Sequence, residues 1–216
     1  MFTPHKTLPL FTESISPATC DPFFYEGLAR EAGYELIAGV DEAGRGPLAG
    51  PVVAATVIIP KGADLAGIKD SKKMTEKARE EAFPVVHQKA LAIGIGVVSH
   101  RVIDRLNILR ASLEAMRRAV VALDPKPDFL LVDGIQKVSL SVPQRCLKKG
   151  DQISPSISAA SVVAKVYRDR IMRSYHKTYP IYGFHKNKGY GTSEHLAALR
   201  KYGPSPIHRL TFRGVL

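Results

Sequence analysis

The chain has no tryptophan, two cysteines and four methionines among its 216 residues, and aromatic side chains make up 7% of it. Cys20 and Cys146 lie far apart and match no metal-ligand spacing, which excludes a disulfide-stapled framework and a cysteine metal centre. No apolar stretch is long enough to cross a bilayer, and no basic n-region precedes an apolar h-region near the start. These absences point to the cytoplasm. Acidic side chains run short in one region: residues 144–216 hold 3 Asp and Glu against 14 Lys and Arg, whereas residues 1–143 hold 17 of each. The net charge of +11 therefore belongs to the C-terminal third. No strongly amphipathic basic helix with bulky apolar anchors stands out, so a membrane surface is the weaker partner. A polyanion lying across the protein fits the charge, as does a merely solvated basic face.

A hydrophobic content of 45% and a charged content of 24% suit one globular core. Residues 1–20 read as a loose arm, followed by a short helix over 23–32. Apolar and β-branched runs predict a strand up to Val40 and another over 52–59, joined as an antiparallel meander by turns at Gly46-Pro47 and Gly50-Pro51. Residues 75–90 read as a helix capped by Thr75, with a kink or break at Pro84. A third strand follows over 91–98. Helical spacing of apolar residues then covers 100–123, another strand ends on Asp133, and helices are expected over 156–175 and 193–202. Strands first, then strand–helix alternation, then helices, imply a mixed sheet covered by helices and a helical C-terminal segment.

Two strand ends carry acids. The run over 36–40 stops at Asp41-Glu42 and is followed by Gly44-Arg45-Gly46, and the run over 129–132 stops at Asp133 and a glycine. Open α/β sheets bind ligands at such C-terminal strand ends. Carboxylates gathered there repel one another unless protons or cations intervene, and divalent metals are the usual cations. The neighbouring glycines and arginine suit a phosphate backbone. Consecutive strand residues face opposite ways, so the strand should end or bulge at Asp41-Glu42 if both acids enter one site. An Asp-Glu pair can also open an ordinary turn. A dinucleotide fingerprint is excluded by the glycine spacing and by Pro47, after which a β-rich run follows in place of a helix.

The segment from Gly39-Val40-Asp41-Glu42-Ala43-Gly44-Arg45-Gly46-Pro47 through Val53 closely resembles the signature of the type 2 ribonucleases H, the ribonuclease HII family. The resemblance continues in Asp70-Ser71-Lys72-Lys73, Leu131-Val132-Asp133-Gly134, Lys149-Gly150-Asp151, residues 157–170 and Lys188-Gly189-Tyr190-Gly191-Thr192, across roughly residues 35–212. It implies a ribonuclease H-like α/β fold, a mixed five-stranded sheet flanked by helices with a helical C-terminal extension. Residues 1–30, outside the match, are read as an N-terminal arm and short helix. By this resemblance residues 31–216 are the catalytic domain, including a basic helical segment from about 176 to 216. The implied activity is an endonuclease on the RNA strand of RNA–DNA hybrids and on ribonucleotides embedded in duplex DNA, cutting on their 5′ side, with roles in ribonucleotide removal and primer processing. The family's four carboxylates fall on Asp41, Glu42, Asp133 and Asp151, with Asp169 the alternative for the fourth. They would hold two Mg²⁺ or Mn²⁺ ions roughly 3.5–4 Å apart, giving 5′-phosphate and 3′-hydroxyl products without a side-chain nucleophile.

The resemblance also assigns the substrate contacts. Gly44, Arg45 and Gly46 form the glycine-arginine-glycine motif, whose backbone can approach a ribose and bond its 2′-hydroxyl. Such a site can reject a substrate lacking the hydroxyl by as much as ~10⁴–10⁵. Tyr190 is implied to touch the same hydroxyl and stack on the next, deoxy sugar. Lys72 and Lys73 are assigned to phosphates. Lys165 could meet either a phosphate or a site carboxylate. His176, His185, His195 and His208 fit no standard metal spacing and read mostly as surface or phosphate-proximal histidines. The motif separates the chain from the type 3 enzymes, no clamp-binding peptide is evident near residue 216, and a monomer is expected. The rival reading is a non-catalytic nucleic-acid-binding protein that uses the basic third alone.

Overall fold

Apolar, β-branched segments become strands here, and the helices that follow them supply the small residues that let them pack close. The computed structural model describes residues 21–65 and 74–216. The expected arm over 1–20, together with Lys72 and Lys73, lies outside the described residues. In chain order the elements are α1 (Phe24–Glu31), β1 (Ile37–Ala43), β2 (Val52–Ile58), α2 (Glu76–Lys89), β3 (Ala92–Val98), α3 (His100–Leu106), α4 (Ile108–Val121), β4 (Phe129–Asp133), β5 (Gln144–Leu147), α5 (Pro155–Thr178), α6 (Phe184–Asn187) and α7 (Ser193–Tyr202). The five strands form one mixed sheet ordered β3-β2-β1-β4-β5. The pairs β1–β2 and β2–β3 are antiparallel; β1–β4 and β4–β5 are parallel. This is the expected mixed five-stranded sheet flanked by helices.

Alternation along β1 divides the core. Ala38 and Val40 pack with Val132, Ile103, Ala115 and Met116 on the α3–α4 side. Ile37 points the other way, toward Phe129, Leu131, Tyr25 of α1 and Ile157 of α5. Next to it, Ala55 and Val57 meet Ala159, Val163 and the α2 residues Ala82 and Val86. The sheet is therefore sandwiched between two helical layers. Gly39 sets how near α5 can come, because a Cβ there would stand 2.1 Å from the backbone carbon of Ser156. That close approach lays the small-residue start of α5 directly over the acid-bearing ends of β1 and β4.

Two local expectations need correction, and one element carried no local signal. The helical spacing over 100–123 reads as one helix, but Asn107 takes φ 69° and separates α3 from α4. Its Oδ1 accepts the Arg110 N–H at 3.1 Å, capping the second helix. Both helices keep their apolar sides on the same sheet face, so the periodicity runs through the break. Pro84 neither ends nor breaks α2, which continues to Lys89; Thr75 caps it as expected, accepting the Ala78 N–H at 3.2 Å. The fifth strand, Gln-Arg-Cys-Leu, has no apolar alternation to reveal it. It is held in part by the Gln144 amide, which exchanges bonds of 2.8 and 2.9 Å with the Val138 peptide.

Candidate functional site

β1 and β4 run parallel, paired from Ile37↔Phe129 to Val40↔Val132. One residue further along each strand stand Asp41 and Asp133, side by side on strands about 4.8 Å apart. Both occupy the α5 side of the sheet. Contrary to expectation, β1 neither ends nor bulges there. It stays in register with β2 through Asp41↔Ala55, Glu42↔Ala54 and Ala43↔Val53. Glu42 therefore emerges on the α4 side, and it shares a rim with Asp41 because β4 has stopped and the cleft wraps over the sheet's end. That cleft, of about 380 Å³, is lined by Asp41, Glu42, Asp133, the loop from Ala43 to Gly46, Ser161, Lys165 and Tyr190. A second groove of about 360 Å³ shares Glu42, Arg45 and Asp133 and continues over α4 past Leu113 and Met116.

Asp41 is buried, with 2% of its surface exposed. Burial first, then the negative charges of Glu42 and Asp133, push its pKa well above the usual carboxylate range, against the opposing pull of hydrogen bonds from Ser161 and the Glu42 N–H. Oxygen donors that repel one another are the chemistry a hard divalent cation relieves, so this set fits such an ion. Among the described residues no three acidic, histidine or cysteine side chains converge as a ready-made cage. Protein donors hold the carboxylates instead. Asp41 Oδ1 accepts the Glu42 N–H at 2.7 Å, Asp133 Oδ1 accepts the Gly150 N–H at 2.7 Å, and Glu42 Oε1 pairs with the Arg45 guanidinium at 3.3 Å.

The two candidates for a fourth carboxylate sit differently. Asp151 is buried in a 3-10 turn (Gly150–Gln152), next to the glycine that holds Asp133, but it is not part of the cleft lining. Asp169 is engaged by Lys165, with Nζ 2.6 Å from Oδ1. Its ion pair is thus with a lysine one turn back on α5, and its arginine neighbours look elsewhere: Arg170 pairs with Glu80 at 2.8 Å. Lys165 lines the cleft with that carboxylate behind it, and burial lowers its pKa.

Two buried arginines organise the glycine loop; Arg168 falls within the matching run 157–170 without a role being assigned to it, and no motif singled out above contains Arg209. Arg209 donates to the carbonyls of Gly44 (2.6 Å), Arg45 (2.9 Å), Gly50 (3.0 Å) and Pro51 (3.2 Å). Arg168 donates to Pro51 (3.0 Å), Ala49 (3.2 Å) and Lys188 (3.0 Å), tying this loop to the one that carries Tyr190. Both side chains are fully buried, and burial lowers their pKa values to about 9 and about 10, so both remain cations at neutral pH. Gly44 adopts φ +99°, and a Cβ there would stand 2.0 Å from Arg168 Nε. Tyr190 is half exposed, and its Cε1 would lie 3.6 Å from a Cβ placed on Gly46.

The histidines divide otherwise than expected. His195 and His208 are buried and bonded to each other, while the rings of His176 and His185 lie with centroids 3.8 Å apart, tilted by 34°. Of the expected site residues, Asp41, Glu42, Asp133, Gly44, Arg45, Gly46, Lys165 and Tyr190 meet at one cleft, Asp151 lies behind it, and Lys72 and Lys73 fall outside the described residues.

Residues 38–215 match the family model of ribonuclease HII. A curated ribonuclease HII of Geobacter sulfurreducens is 57% identical over 209 residues, spanning 97% of this chain and 95% of that one. Among solved structures, the ribonuclease H2 of Pyrococcus horikoshii OT3 is similar with a TM-score of 0.71 at 28% identity, covering 83% of this chain and 94% of that one. A Bst-RNase HIII in complex with Mn²⁺ shares the fold with a TM-score of 0.68 at 19% identity, covering 83% and 68%.

Proposed function

The chain belongs to the ribonuclease HII family and is a ribonuclease H, a nuclease of a divalent-metal-dependent family acting on nucleic acid, and from that premise we propose how its cleft works. It hydrolyses the RNA strand of RNA–DNA hybrids and cuts on the 5′ side of ribonucleotides embedded in duplex DNA, leaving a 5′-phosphate and a 3′-hydroxyl. The observation that carries this reading is the pairing of Asp41 with Asp133 at the ends of parallel strands, beside the Gly44–Gly46 loop.

Asp41, Glu42, Asp133 and Asp151 are the residues that would hold Mg²⁺ or Mn²⁺. When two such ions are bound, they supply activation of the attacking water and stabilisation of the leaving 3′-oxygen. The chain's own residues bind and orient the substrate. Gly44, Arg45 and Gly46 present backbone groups to the ribose 2′-hydroxyl, made rigid from beneath by Arg168 and Arg209. A site built to bond that hydroxyl leaves polar groups unpaired when it is missing, which is the physical basis for sparing DNA. Tyr190 touches the same hydroxyl and stacks on the following deoxy sugar. Lys165, Lys72 and Lys73 meet phosphates, and the basic segment from about 176 to 216 carries the rest of the duplex as part of the catalytic unit. The protein works as a monomer in the cytoplasm, in ribonucleotide removal and primer processing.

Cleavage of a duplex holding one ribonucleotide, measured with Mg²⁺ or Mn²⁺ and again with chelator, tests this reading. Cutting that yields a 5′-phosphate and stops on chelation is the expected result. Binding without cutting under every metal condition would leave the basic surface as the whole function and overturn it.

A further inference from the structure

His195 and His208 lie outside the acid-lined cleft, yet they form a buried polar contact that ends on one of its lining residues. Backbone atoms at its two ends dictate where each proton sits. The Ser205 N–H can only donate, and it donates to His208 Nδ1 at 2.9 Å; the Ser205 Oγ lies 2.8 Å from the same nitrogen and, with its hydroxyl turned toward the ring, donates to it as well. That nitrogen carries no proton, so the neutral His208 ring bears its proton on Nε2. His208 Nε2 lies 2.9 Å from His195 Nε2, which must accept. The His195 proton then occupies Nδ1, 2.8 Å from the Tyr190 carbonyl oxygen, an atom that can only accept. Adding a proton to either ring would set two donors against each other. Burial favours the neutral forms and brings the His208 pKa down to about 4. The rings of Phe184 and Tyr182 pack around the pair, at 5.4 Å from His195 and 4.9 Å from His208.

This chain of bonds ends on the peptide of the residue read above as the ribose and junction sensor. The Tyr190 side chain is 45% exposed, so its backbone does much to define where the ring stands. The Tyr190 N–H donates to the Asn187 carbonyl at 2.9 Å, and its own carbonyl accepts from Thr192 N as well as from His195. A reader held ready before substrate arrives loses less freedom on binding than one that must be ordered.

We propose that His195 and His208 are positioning residues for Tyr190, a one-way relay running from Ser205 through both imidazoles to the Tyr190 carbonyl and setting the ring's stance at the RNA–DNA junction. The proposal rests on the reading of Tyr190 given above. Its chemistry requires His195 to be the Nδ1–H tautomer and His208 the Nε2–H tautomer, both neutral.

Long-range proton–nitrogen correlation spectra of the full chain, with labelled histidine at neutral pH, report the tautomers without any substitution. One Nδ1–H ring assigned to His195 and one Nε2–H ring assigned to His208 are expected. Two Nε2–H rings, or a charged ring, would overturn the relay.

The functional arm compares cutting at a lone ribonucleotide with cutting of a continuous hybrid. His195→Asn keeps an N–H donor at the δ position; His195→Gln moves it to the ε position, and His195→Ala removes it. The lone-ribonucleotide to hybrid ratio should fall by up to about tenfold in the Gln and Ala variants, the scale of one lost hydrogen bond, and stay within about threefold of wild type in the Asn variant. Equal losses in Asn and Ala would reduce the pair to a core-packing role and overturn the proposal. Tyr190→Ala is the control. If it lowers both substrates equally, the junction reading falls and takes the proposal with it. If it is selective while His195→Gln is not, the proposal alone fails.

Discussion

Arg209 Nη2 lies 2.6 Å from the carbonyl oxygen of Gly44, across 165 residues of chain, and the same guanidinium reaches three further carbonyls of that loop. Among the described residues the hydrogen-bond acceptors of this cation are all backbone carbonyls, so its charge is met mainly by their dipoles, with a coulombic attraction from Asp104. Replacing Arg209 with lysine keeps the charge but removes the planar fork. Arg209→Lys should cost about 2–4 kcal/mol of stability through carbonyls left unpaired, and should lower kcat on every ribonucleotide-containing substrate. Urea denaturation and steady-state kinetics check both. Wild-type values on both would remove Arg209 from the organisation of the loop.

Gly39 predicts a second effect from shape alone. With Ser156 backbone atoms about where a Cβ would go, Gly39→Ala must push α5 away from β1. A loss of about 3 kcal/mol or more is expected, at the upper end of overpacking costs, because the obstacle is backbone and not a side-chain tip. Ser161 and Lys165 would move with the helix, so activity should fall before the protein unfolds. Thermal denaturation beside activity at 25 °C decides it.

His208 makes stability depend on pH. Its folded-state pKa is about 4 and its ordinary value 6.5, so between these values the unfolded chain binds a proton that the folded one refuses. The stabilisation is complete above pH 6.5 and is lost as pH falls toward 4, by up to about 3 kcal/mol. His208→Phe should flatten this part of the curve relative to wild type. The difference between their unfolding free energies at pH 7 and pH 4.5 measures it, and an unchanged slope would contradict the assignment.

The acids separate by substitution. Asp41→Asn should abolish cleavage in Mg²⁺ and in Mn²⁺ while leaving duplex binding largely intact, as read by cleavage assay and gel shift. Near-wild-type activity in either metal would remove Asp41 from the catalytic set.

Asp151→Asn should cost more than about 10³-fold in kcat, the scale of losing a direct charge stabiliser. Asp169→Asn should cost about 10–100-fold, because it releases Lys165 and leaves the acids in place. The reverse order would make Asp169 the fourth ligand.

Much of the fold could be read locally. The runs before Asp41 and Asp133 are short, apolar and ended by glycine, which is enough to locate two buried strands and the acids at their ends. The Thr75 cap and the helix beginning near Ser156 were legible for the same reason, since caps and apolar spacing involve neighbours in sequence. The break at Asn107 was hidden because both helices turn the same side to the sheet. β5 was hidden because a polar edge strand has no alternation to show.

The chain's order of residues, taken alone, determined the class of chemistry: acids at strand ends, a glycine-rich loop beside them and a basic C-terminal third. Only the tertiary structure decided that Glu42 leaves the sheet on the side opposite Asp41, and that Arg168, Arg209, His195 and His208 stand behind the loops that carry Gly44 and Tyr190. The reason is physical. Strands and helices announce themselves through short-range periodicity, whereas the buried cations Arg168 and Arg209 are specified largely by carbonyls more than a hundred residues away, and the two imidazoles by partners 3 to 13 residues off that follow no helical or strand period.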